Sequence, residues 1–307
     1  MWSWVAALTS LIASLIASYL APRSPRVSIA LSTLGTSIAL IASLAMGSLQ
    51  PCLAMALASS SFSLLGSLAA IRRMMFLAAA TPHTSVFSVA LAVALLGMSS
   101  LSYVAMFLSS LSLAFMALYL SKRFGSDLST GLVVSLAATG TTLTLYYLSM
   151  VGVSISSLVV GEAPSSLSVS IPIVAAFLAI AVYVPLSLSK HLLISMDSDL
   201  AKLAGVKVLI HDLALASLFA GVGIATVTSV GFVVQHALIL IPPAIASASS
   251  RGCKEGIVLS TAISIASSCS GALLASLLKL SPAGLVGATL IASYLATEVG
   301  ARVARVG

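Results

Sequence analysis

The sequence predicts an all-α, polytopic membrane protein of about eleven transmembrane helices, some of them broken, and three observations predict it. Of 307 residues, 60% are hydrophobic and 7% charged, with a mean hydropathy of +1.19. A soluble domain carries about 25% charged residues, so this chain lacks the polar shell that keeps a fold in water. The apolar residues gather in long runs with the charges clustered between them. These runs do not alternate strictly between apolar and polar positions, which argues for helices rather than the strands of a membrane barrel.

A helix of about 20 apolar residues crosses a hydrocarbon core about 30 Å thick at 1.5 Å per residue. The stretches that qualify are 2–20, 27–48, 52–71, 79–98, 101–120, 129–150, 168–189, 209–227, 230–249, 256–277 and 283–300. The first has no positive n-region, and Arg23 and Arg26 follow its apolar run, so it reads as an uncleaved anchor rather than a secretory signal. In the fourth, Thr81-Pro82 reads as N-cap and first helical position, which predicts a helix broken in mid-membrane. The sixth starts after Gly125-Ser126, with Asp127 as its expected N-cap. Pro242-Pro243 predicts a break in the ninth, and Glu298 and Arg302 are spaced as an i, i+4 pair at the end of the last. Serine makes up roughly one residue in six. Small residues let helices approach closely and hydroxyls bond across them, so these serines are expected to pack helices rather than line a polar path. Cys52, Cys253 and Cys269 show no CxxC or zinc-finger spacing and read as buried thiols.

Alternating the spans and counting Lys and Arg assigns sides. With the N-terminus outside and the C-terminus cytoplasmic, the inner loops hold Arg23, Arg26, Arg72, Arg73, Lys122, Arg123, Lys190, Lys202, Lys207, Arg251, Lys254, Arg302 and Arg305, and only Lys279 of the 14 basic residues stays outside. The net charge of +7 is then the inner rim of a membrane protein facing anionic lipid, not a nucleic-acid surface. The longest inner loop, 190–207, holds a short amphipathic helix: Asp197, Ser198 or Asp199 caps it, and Leu200, Leu203 and Ala204 form an apolar face around Ala201. Gly205 suits its left-handed stop. Such a helix lies on lipid or docks into a partner's groove. No GxxxxGK[ST] occurs, so any ATP hydrolysis belongs to another subunit, and the chain is not expected to be an enzyme.

Four stretches resemble one family in its order. These are Arg72-Arg73 through His83 (RRMMFLAAATPH), 190–208 (KHLLISMDSDLAKLAGVKV), 230–247 (VGFVVQHALILIPPAIAS) and 281–290 (SPAGLVGATL). They are similar to the permease subunits of ATP-binding-cassette transporters for metal-ion uptake, the zinc/manganese type. The likeness runs over 50–307 and leaves 1–49 as an extra N-terminal pair of helices. It implies a homodimer, an ATPase subunit docked on 197–205 and an extracytoplasmic metal-binding protein that delivers the cargo. The family usually carries Asp one turn before the histidine, where Ala79 stands here, and Gly five residues after it, where Ser88 stands.

Ionisable groups within a membrane mark function. His83 lies ten residues beyond Arg73, about 15 Å along a helix and so near the midplane. His236 lies six residues before the Pro242-Pro243 pair. With Asp127 as a third candidate, these are the expected metal ligands, and imidazole suits zinc while manganese prefers more oxygen. Glu162, in the outer loop, is placed to meet a binding protein. A secondary transporter driven by an ion gradient would want embedded carboxylates, which the deep segments nearly lack, and an ABC permease for a non-metal substrate is the other alternative.

Overall fold

The computed structural model describes residues 2–97, 99–153, 167–227, 230–250 and 252–306, and among them twelve helices and no strand. They are α1 (Trp2–Leu20), α2 (Pro25–Ala45), α3 (Leu49–Ile71), α4 (Met75–Leu96), α5 (Ser100–Phe124) and α6 (Ser126–Met150), then α7 (Leu167–Met196), α8 (Ser198–Leu203), α9 (Val208–Val227), α10 (Phe232–Ser249), α11 (Cys253–Leu278) and α12 (Pro282–Val306). All but α8 are long and apolar enough to cross a membrane. Glu162 lies outside the described residues.

Four elements differ from expectation. α4 and α10 run unbroken through Pro82 and through Pro242-Pro243. Proline removes one backbone donor and frees the carbonyl four residues back, in α4 that of Ala78, and packing against neighbouring helices keeps the helix continuous. In α4 the Thr81 hydroxyl bonds the Leu77 carbonyl (2.8 Å), while Thr84 and Ser85 both donate to the Thr81 carbonyl (3.0 and 2.7 Å). α7 extends to Met196 rather than stopping near 189, so Lys190 and His191 are helical. At the end of α12, Glu298 accepts from the Tyr294 hydroxyl (3.4 Å) instead of pairing with Arg302.

α3 and α11 are the central helices, buried over most of their length. Their serines explain how they pack. Ser59 meets Ser264 (2.7 Å), Ser63 meets Thr261 (3.1 Å) and Ser67 meets Ser260 (3.3 Å), an antiparallel ladder of hydroxyls between two apolar helices. On its other side α11 bonds α1 through Ser10–Ser270 (2.7 Å) and Ser14–Ser267 (3.0 Å), and α12 through Ser267–Ser293 (2.8 Å). In lipid there is no hydrophobic force between helices, so close contact and such bonds supply the association. Gly66 serves the same end: a Cβ there would strike the Ile239 carbonyl, so α3 and α10 touch backbone to backbone. Cys52 and Cys269 lie in the buried cluster between these helices as free thiols, whereas Cys253 is exposed.

α8 forms where the spacing placed it. Asp197 is its N-cap and accepts from the amides of Asp199 (2.8 Å) and Leu200 (3.0 Å). Ala204 is the C-cap and Gly205 follows at φ 82°, the left-handed stop. Only Ala201 is buried, against the bundle, while Leu200, Leu203 and Ala204 are exposed. The apolar face of α8 therefore points away from its own fold.

Candidate functional site

α4 and α10 bring His83 and His236 together. Their Nε2 atoms stand 3.3 Å apart and the rings meet edge to face with centroids 5.0 Å apart. His236 Nδ1 lies 3.2 Å from the Phe232 carbonyl one turn back. A carbonyl only accepts, so Nδ1 carries the proton and His236 Nε2 presents a lone pair; His83 Nε2–H then donates to it. Phe232 packs edge-on against both imidazoles, at 5.0 and 4.8 Å, and dries one side of the pair. The other side of α4 is fixed by α9. A Cβ on Gly223 would collide with the Ser85 hydroxyl, so the glycine leaves room for that side chain where the two helices meet. Gln235, next to His236, donates from Nε2 to the Gly223 carbonyl (3.0 Å) and the Thr226 hydroxyl (2.8 Å), tying α10 to the same turn of α9.

Two imidazole nitrogens bound to one tetrahedral zinc at about 2.0–2.1 Å stand roughly 3.3–3.4 Å apart. The His83–His236 separation already matches that edge. Ligation would need His83 to move its proton from Nε2 to Nδ1, a change of tautomer without change of charge. Ala79, half-buried one turn before His83, supplies no third donor. Among the described residues no group of three or more His, Cys, Asp or Glu side chains converges.

Asp127 is not brought to this pair. It is exposed in the first turn of α6, accepts from the Ser126 hydroxyl (3.2 Å), and Gly125 rather than Asp127 is the N-cap. Its carboxylate suits the positive end of that helix.

A second polar cluster went unassigned from sequence. Arg72, the C-cap of α3, reaches Asp212 on α9 with Nη2 and His191 Nδ1 on α7 with Nη1 (2.7 Å). Both members of the ion pair are buried, with side chains 5% and 8% exposed. Guanidinium only donates, so His191 Nδ1 must accept and Nε2–H donates to the Tyr183 hydroxyl (2.9 Å), which is 3.3 Å from His211 Nδ1 and donates to it. Lys122 approaches the other Asp212 oxygen at 3.6 Å from an exposed position. The available signal was Asp212 itself, an acidic residue inside an apolar run.

Eleven apolar helices, a histidine pair between two of them and one short exposed amphipathic helix are the features of a polytopic membrane protein. The chain belongs to the ABC 3 transport family, whose model matches residues 45–299. Two solved structures share the fold. One is PsaBC from Streptococcus pneumoniae in complex with Fab, at 20% identity and a TM-score of 0.67 over 81% of this chain and 90% of that one. The other is described as a metal-chelate type ABC transporter in an inward-facing conformation, at 17% identity and a TM-score of 0.59 over 95% and 98%. No curated protein matches.

Proposed function

We propose that the chain is the permease subunit of an ATP-driven importer for divalent metal ions, zinc or manganese, oriented with its N-terminus outside and its C-terminus cytoplasmic. The observation that carries this reading is the His83–His236 pair, whose nitrogens are spaced as two corners of a tetrahedral metal site within a chain of the ABC 3 transport family. Its donors are imidazole only, which favours zinc over manganese. Two copies of the chain would enclose the pathway. An ATPase subunit would seat on α8, where Leu200 and Leu203 stand 53% and 87% exposed with no partner helix of their own chain. An extracytoplasmic binding protein would deliver the cargo. The chain itself makes and breaks no bonds: ATP-driven closure of the partner subunits moves α8, and the spans rearrange around the pair.

A second reading, a permease for a metal held as a chelate or for a non-metal cargo, draws on the shortage of protein donors. Two histidines complete no bare-ion shell, and a chelated ion needs fewer. Affinity purification of the full chain from native membranes tests the importer reading. An ATPase is expected to co-purify and to be lost when residues 197–205 are replaced by a flexible linker. Recovery of no nucleotide-binding partner would reject it.

A further inference from the structure

The Arg72 network joins parts of the chain that lie far apart in sequence. α8 hangs on two legs, the last turns of α7 and the first turns of α9. His191 stands five residues before the end of α7, and Asp212 four residues after the start of α9. Arg72 holds both legs at once, one guanidinium nitrogen on each. The same residue begins the three-residue junction between α3 and α4, in which Arg73 takes a left-handed turn at φ 54°. α4 starts at Met75 and carries His83 eight residues later, about 12 Å along its axis.

We infer that Arg72 is the positioning residue through which displacement of α8 reaches the helix bearing His83. The inference rests on the importer reading, because it needs an ATPase acting on α8. Its physical basis is the burial of the ion pair. Separating Arg72 from Asp212 would leave the buried guanidinium with only a neutral imidazole and the carboxylate with only the longer, exposed Lys122 contact, so parting them is costly and the legs and the α3–α4 junction move together. Lys122 cannot substitute. It is 59% exposed, its contact is longer, and water replaces it at little cost. Coupling between sites requires an element that both of them bias, and the junction anchored by Arg72 is that element.

The test uses the full chain with its ATPase, with Cys52, Cys253 and Cys269 changed to Ala and a reporter thiol introduced by Ala79→Cys, one turn before His83. Alkylation of the reporter by N-ethylmaleimide is timed in the nucleotide-free complex and in the complex trapped with ATP and vanadate. With Arg72 present, trapping is expected to change the rate by about fivefold or more, the lower end of ordinary coupling. In Arg72→Gln the change is expected to fall below about twofold while the ATPase still co-purifies. Arg72→Lys, the safer variant for folding, keeps a cation on Asp212 but gives up the simultaneous bond to His191, and falls between. Lys122→Gln retains the full change. A full nucleotide-dependent change in Arg72→Gln or in Arg72→Lys overturns the inference. No change in the parent complex overturns the importer reading beneath it.

Discussion

His83 with His236, and His191 with His211 nearer the basic end of the bundle, are both imidazole pairs between neighbouring helices, with ring centroids 5.0 and 5.1 Å apart and interplanar angles of 78° and 74°. Their surroundings differ in charge. Among the described residues no fixed charge is in contact with the first pair, and the His236 Nε2 lone pair is met only by a neighbouring imidazole proton. At the second, Arg72 occupies the His191 lone pair and neutralises the one nearby carboxylate, Asp212. A cation arriving there meets a cation already in place. Ring geometry alone therefore does not tell the pairs apart; contact with a fixed cation does, and it is what favours the first over the second as the proposed metal site.

The comparison breaks first at Arg72. Arg72→Ala strands Asp212 in a buried position and is expected to destabilise the chain by about 3–5 kcal/mol, measured as denaturant-dependent unfolding in detergent. Lys122→Ala, exposed on the same carboxylate, should cost less than about 1 kcal/mol. If the two cost the same, the lower cluster is not an ionic lock.

The upper pair is sharpened by adding what it lacks. Ala79→Asp places a carboxylate one turn before His83, and zinc affinity by calorimetry should rise roughly tenfold or more, a gain that needs only about 1.4 kcal/mol. The same experiment on Leu215→Asp, in the apolar core of α9, should yield no such gain. Smaller still is Ser267→Ala, which removes hydroxyl bonds from α11 to α1 and α12 at about 0.6 kcal/mol, read from thermal melting.

The last prediction concerns α8, outside the membrane. Bonds from the amides of Leu200 and then Asp199 hold the Asp197 carboxyl below its usual range. Its folded-state value is depressed, so the cap is fully present above the ordinary carboxylate pKa and is lost as pH falls through the lowered one. Amide exchange at Asp199 and Leu200, corrected for the intrinsic rate, should stay protected at neutral pH and rise only in acid. Asp197→Asn, which keeps a capping oxygen but no ionisable carboxyl, should abolish that transition and Asp199→Asn should leave it in place.

Much of the fold was legible because length and hydropathy alone mark a span, and α8 was legible because its cap and stop are local. His83 and His236 stood out as ionisable residues in apolar runs, but their meeting across 153 positions did not. The breaks expected at Pro82 and Pro242-Pro243 failed because local rules omit the neighbouring helices of a bundle. The role of Asp212 was not legible, since its partner Arg72 lies 140 positions away. Lys190 and His191 read as loop for the same reason: what keeps them helical is tertiary, a buried imidazole bonded on both nitrogens. Asp127 looked like a ligand only by its type, and its place at an exposed helix start removes it from the pair.

The central claim is that the His83–His236 pair receives a divalent metal. Isothermal calorimetry of zinc with the purified full chain, beside His83→Ala and His236→Ala, tests it most directly. Binding is expected in the parent and in His211→Ala, and loss of it is expected in either variant of the pair. Equal zinc binding in the parent, His83→Ala and His236→Ala would contradict it.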